Sequence, residues 1–188
     1  IRAIAAMGYD GVEPAGYPGT DVQAAAKLFK ELALEVPSAH TGMPLGDDKE
    51  RVLDEMSALG CSRIVSGKGP DDFSTKDKIK ATCELFNQAA AVAKENNLSI
   101  GIHNHWWEFQ PVEGTLAYEV MLEHLEPHVF FEIDTYWVTV AGQDAAKVVA
   151  ILGDRVQLLH IKDGPLDREQ AMLAAGSGKM DFPSIIKA

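Results

Sequence analysis

The sequence predicts an α/β protein, a (β/α)8 barrel of which the 188 residues carry about six βα units. Three observations lead there. Short apolar runs alternate with segments of helical period, and strand–helix–strand repetition builds parallel strands joined by helical crossovers. The ends of those runs fall near residues 13, 40, 65, 103, 134 and 161. That gives a unit of roughly 30 residues, the pitch of an eight-fold barrel of about 250 residues. A doubly wound sheet is the competing arrangement; it wants a GxGxxG phosphate loop after an early strand, and the sequence has none.

Taken in order, the strands are YDGVE (9–13), LEVPSAH (34–40), CSRIV (61–65), LSIGIH (98–103), VFFEI (129–133) and VQLLHI (156–161). Between the first two, DVQAAAKLFKELA places Val22, Ala25, Phe29 and Leu32 on one helical face. KERVLDEMSALG does the same with Val52, Met56 and Leu59, and Gly60 supplies a C-terminal stop. Ser74 with Asp77 has the spacing of a capping box, opening a long helix whose buried stripe is Ile79, Cys83, Phe86 and Ala90. TLAYEVMLEHLE and QDAAKVVAILG complete the helices, the second stopped by Gly153. The chain opens inside a helix (IRAIAAMG) without Met and closes on DFPSIIKA, the start of another. Residues 1–188 therefore read as one barrel domain truncated at both ends, with the first and last strands, and any export signal, outside it.

Composition narrows the function classes. The chain is 46% hydrophobic and 24% charged, with a formal net charge of −11 and no basic cluster. DNA and RNA binders carry a Lys/Arg footprint, so nucleic acid is not expected as a partner. No apolar stretch approaches the roughly 20 residues of a membrane span. The reading is a cytoplasmic protein that binds a small neutral or metal-chelated molecule in a cleft, with homo-oligomerisation left open. Cys61 and Cys83 fall on a strand and a helix face and read as buried free thiols.

In a barrel of this kind the active site lies at the C-terminal ends of the strands. Glu13 ends the first visible strand, His40 the second, and His103, Asn104 and His105 the fourth. Asp134 ends the fifth, and His160, Lys162 and Asp163 the sixth. Four of the six histidines sit at these ends; His124 and His128, on and just after a helix, read as solvated. Each residue alone has a structural explanation, but independent strands deliver imidazole and carboxylate to one face. Such donors without a cysteine pair suit one divalent ion of the Mn²⁺, Zn²⁺, Co²⁺ or Mg²⁺ kind. Strand parity puts Gly101, His103 and His105 on one side, and pairs Glu132 with Asp134. No GxSxG elbow or HExxH helix is present, so nucleophilic hydrolysis has little support.

GYDGVE, HNHWWEF, EIDTYWV followed by AG, LLHIKDG and GSGKMDF, in this order and spacing, resemble the xylose isomerase-like TIM-barrel superfamily of sugar (phosphate) isomerases and epimerases. The resemblance covers essentially the whole chain and points to a subgroup with a tyrosine-HNH motif, Ile102 standing at the tyrosine. It implies one divalent metal held by His103, Asp134 and His160, with His103 in place of the family's strand-five glutamate and His105 or Glu108 as substitutes for it. The family's fourth ligand, a strand-eight glutamate, would lie past Ala188. Trp137 replaces a histidine many relatives carry and offers an apolar wall. The resemblance further implies His105, Glu108 and Lys162 as acid/base groups. Glu13, His40, Asn104, Trp107, Trp137 and Asp163 would contact a sugar substrate. The implied reaction is isomerisation or epimerisation through an enediolate. A lyase or dehydratase acting on a 3-keto-glycoside or inosose shares its first half. Endonuclease IV-like relatives would need more metal ligands and a basic face, and a catalytically silent barrel fragment is the non-enzymatic alternative.

Overall fold

The structure, a computed structural model, describes residues 1–188 and divides them into two compact units. The first comprises 1–66 and 88–101, the second 67–87 and 102–188. The first opens with the short helix α1 (Arg2–Ala6) and then α2 (Val22–Glu31), whose Asp21 side chain accepts from the Ala24 N–H. Ala25 and Phe29 of α2 are buried with Leu34, and Val12, Leu32, Val36 and Leu59 pack on them. Strand β1 (Ala39–His40) pairs in parallel with β2 (Arg63–Ser66), and α3 (Lys49–Leu59) joins them. Gly60 ends α3 in the left-handed region at φ 64°, as a C-terminal stop requires.

Helix α4 (Lys76–Glu95) and strand β3 (Ser99–His103) have residues in both units. In the second unit a hairpin of β4 (Pro111–Val112) and β5 (Thr115–Leu116) leads to α5 (Ala117–His124) and then β6 (Phe130–Asp134). A one-and-a-half-turn helix α6 (Thr135–Val140) follows directly, then α7 (Ala145–Leu152), β7 (Val156–His160) and α8 (Phe182–Lys187). The strand order is β1-β2-β3-β6-β7, with β6 and β7 parallel and Asp134 registered on His160.

Two local expectations are corrected, and two elements are additional to those the sequence predicts. YDGVE forms a single bridge, Gly11 to Glu35, instead of a strand. Glu35 donates to Asp10 and accepts from Val12 as a parallel ladder demands, but the next donor in register is Pro37, which has no N–H. The cap of α4 is Thr75, whose hydroxyl accepts from Lys78 N–H at 3.2 Å; Ser74 instead donates to the Asp71 carbonyl. The hairpin and α6 were not expected. The first turns on Glu113 and Gly114, both with positive φ (49° and 81°), the geometry that a two-residue hairpin loop needs. The second is capped by Asp134, whose Oδ1 accepts from Trp137 N–H at 3.1 Å.

Ile79, Cys83, Phe86 and Ala90 of α4 are buried as the helical period predicts, and both cysteines are free and buried. Burial pushes the Cys83 thiol up to about 12, which makes it inert. No helix is long and apolar enough to cross a membrane.

Candidate active site

The second unit gathers polar groups at the ends of β3, β6 and β7. The strand alternation that aims His103 to one side of β3 also aims Glu132 and Asp134 to one side of β6. The register between β6 and β7 then sets His160 beside Asp134. His103 Nε2 lies 2.9 Å from His160 Nδ1, and each is 3.5 Å from Asp134 Oδ2. Lys162 Nζ reaches the same Oδ2 at 2.8 Å, an ion pair to a carboxylate that is fully buried. Burial by itself would raise the Asp134 carboxyl. The His103 and Lys162 hydrogen bonds outweigh it and hold the group below the ordinary carboxylate range.

The backbone at Asp134 is held in place. Asn104 is buried, and its Oδ1 accepts from Asp134 N–H at 2.9 Å while its Nδ2 donates to the Asp134 carbonyl at 3.2 Å and the His105 carbonyl at 3.1 Å. The whole amide is spent on backbone, so Asn104 fixes the turn after β3 against the end of β6. Asn104→Ala strands three buried backbone groups, at ~1 kcal/mol or more each. We expect a loss of about 2–4 kcal/mol in urea unfolding; a change below about 0.5 would show that water replaces the amide freely.

His105 stacks on Trp107, with ring centroids 4.2 Å apart and planes 13° apart, and meets His103 edge-on at 5.0 Å. Its N–H donates to Glu108 Oε2 at 2.9 Å. Glu108 is 1% exposed, and burial pushes its carboxyl up to about 8. Trp137 stands across the site with its ring centroid 5.6 Å from Lys162 Nζ.

Asp163 is occupied differently. Its carboxylate accepts backbone N–H groups from Gly164, Gly176, Gly178 and Met180, so it clasps the loop that follows β7. A side chain at Gly178 would collide with the Asp163 carboxylate and the Gly164 nitrogen, so the clasp needs glycine there. Those four amides hold the Asp163 carboxyl below the ordinary range against the opposing effect of desolvation. Glu13 and His40 belong to the first unit. There Glu13 accepts from the Ser38 hydroxyl, with His40 Nδ1 at 4.0 Å from its other oxygen.

Glu132 is the residue that sequence reasoning left out of the site. A carboxylate oxygen of Glu132 and ring nitrogens of His103 and His160 lie within 4.8 Å of one another. The parity that selected Asp134 carried the same signal for Glu132, two residues earlier. The donor set fits a divalent ion. With metal bonds of about 2.0–2.2 Å, atoms of one coordination shell stand roughly 3–3.5 Å apart. The 2.9 Å between the two imidazole nitrogens and the 3.5 Å from each to Asp134 Oδ2 match that spacing.

Residues 1–188 match the family described as xylose isomerase-like TIM barrel. Among solved structures, a sugar phosphate isomerase/epimerase from Parabacteroides distasonis ATCC 8503 superposes with a TM-score of 0.84 at 26% identity, over 99% of this chain and 77% of that one. A second from the same organism gives 0.75 at 27%, over 92% of this chain and 65% of that one. The IolI protein, solved with a zinc atom, shares the fold at 0.71 and 15% identity, over 98% of this chain and 76% of that one. No curated protein matches.

Proposed function

The chain belongs to the xylose isomerase-like TIM-barrel family, and from that premise we propose that it is a divalent-metal-dependent sugar (phosphate) isomerase or epimerase working through an enediolate. One observation carries the reading: two imidazoles and an ammonium converge within 3.5 Å on a single buried carboxylate oxygen, with a second carboxylate beside them. A divalent ion held by His103, Asp134 and His160, with Glu132 as a fourth donor, would polarise a carbonyl and its neighbouring hydroxyl as a Lewis acid.

The chain's own groups do the rest. The Trp107 and Trp137 rings offer flat apolar faces against which a sugar ring or chain can lie. The His105 imidazole, held flat on Trp107, takes the proton from the carbon next to the carbonyl. Lys162 donates a proton or hydrogen bond to the oxygen on which negative charge develops. Returning the proton to the adjacent carbon isomerises the sugar; returning it to the opposite face epimerises it. Glu108 keeps its proton at neutral pH and positions His105 through the backbone, Asn104 holds the turn that carries His105, and Asp163 clasps the loop that follows Lys162.

Metal content and proton exchange test this together. The purified chain should bind about one divalent ion, lost in His103→Ala and His160→Ala. The loaded protein should then exchange a C–H proton of a keto- or aldo-sugar for deuterium in heavy water. Loss of a β-substituent alongside exchange would assign the lyase branch. No bound ion after addition of Mn²⁺ or Zn²⁺ would overturn the reading.

A further inference from the structure

Resting on that metal site, we infer that Lys162 is a displaceable counter-cation: its ammonium holds the one oxygen of Asp134 that a divalent ion needs, so metal binding expels it from Asp134 into the substrate side of the site. Asp134 has two oxygens to offer. Oδ1 is committed to the Trp137 N–H as the cap of α6, at 3.1 Å. The Asp134 backbone is tied to Asn104, and exchanging the two carboxylate oxygens would give up the cap of α6 held by Oδ1. Oδ2 is therefore the available ligand atom, and it is the atom that faces both His103 Nε2 and His160 Nδ1. Lys162 Nζ stands 2.8 Å from it.

An isolated carboxylate as deeply buried as Asp134 is costly, and a paired ammonium relieves that cost. Two cations on the same oxygen in a buried site repel strongly, because the low local dielectric leaves their charges poorly screened. Ion and ammonium are thus alternatives. The lysine has room to leave: its side chain is 24% exposed, on a flexible four-carbon stem. The Trp137 ring, 5.6 Å from Nζ, gives it an aromatic face to rest on. Metal loading and the arming of Lys162 as a proton donor then become one event.

The test uses calorimetric titration of Mn²⁺ and Zn²⁺ into the metal-free wild type, Lys162→Met and the charge-preserving Lys162→Arg. Removing the competitor should tighten ion binding roughly tenfold or more in Lys162→Met, leave Lys162→Arg close to wild type, and lower the Tm of the metal-free Met variant by several degrees. Amine labelling read by mass spectrometry gives a second measurement on unmodified protein. Lys162 should label faster with saturating metal than without it, while Lys147, an exposed lysine of α7 paired with Asp144, keeps its rate. Equal or weaker ion binding in Lys162→Met, or no metal-dependent rise in Lys162 labelling, overturns the inference while leaving the metal site standing. Absence of binding in all three proteins overturns the metal reading and this inference with it. Binding in Lys162→Met alone supports displacement in its strongest form.

Discussion

Asp134→Asn is expected to weaken divalent-ion binding by about 100-fold or more and to cut sugar proton exchange by about 1000-fold. The change keeps the shape of the side chain and the cap of α6, since the amide oxygen can still accept from Trp137 N–H. What it removes is the charge that Lys162 pairs with and that a metal would share with His103 and His160. Stability should fall by only about 1–3 kcal/mol, less than for a fully buried pair, because Lys162 can turn its ammonium to solvent. Ion binding by calorimetry and unfolding in urea separate the two effects. Unchanged ion affinity in a folded Asp134→Asn protein would remove Asp134 from the ligand set and leave His103, Glu132 and His160 as the donors to examine.

How far the sequence foretold this arrangement depends on whether each interaction is local. Alternation of apolar runs with helical segments located the ends of β1, β2, β3, β6 and β7 to within a residue or so, because burial on both faces of a parallel strand leaves a continuous apolar signature. The same signal overstated YDGVE, since the ladder stops at Pro37, some 25 residues away in sequence and adjacent only in the fold. It gave no sign of α6, because TYWVTV is rich in β-branched and aromatic residues and has no helical period; what turns the chain is the Asp134 cap.

Within the site, His103, Asp134, His160 and Lys162 could be singled out because they stand at the ends of three apolar runs, His160 and Lys162 at the same one. Glu132 lies inside such a run and was legible only through the parity it shares with Asp134. Asp163 shows the limit most clearly. A carboxylate after a strand reads as a ligand-binding group, yet its four partners are backbone amides, three of them 13 to 17 residues downstream. Glu108 was legible as a carboxylate near the site and not as a buried one, since WEF gives no sign that the middle residue points inward.

That burial leads to the second large effect, a dependence of stability on pH centred on Glu108. Its carboxyl has an ordinary value of 4.5 and is pushed up to about 8 by burial, which outweighs the lowering hydrogen bonds from the backbone and from Trp107. Below pH 4.5 the folded and unfolded chains both keep the proton, and the group contributes its full stability. Between about 4.5 and 8 the unfolded chain releases the proton while the folded chain retains it. Stability therefore falls as pH rises through this window and levels off above it. At ~1.4 kcal/mol per pH unit the loss approaches about 5 kcal/mol at pH 8, as an upper figure. Glu108→Gln cannot ionise, and its side-chain oxygen can still accept from His105 N–H. The variant should gain on the wild type steadily from pH 5 to pH 8, by about 3–5 kcal/mol across the window. Its proton-exchange activity should also persist above pH 8, where ionisation of Glu108 loosens the His105 turn in the wild type. Urea unfolding of both proteins at pH 5, 6, 7 and 8 reads the first effect, and parallel stability curves would mean that Glu108 is solvated after all.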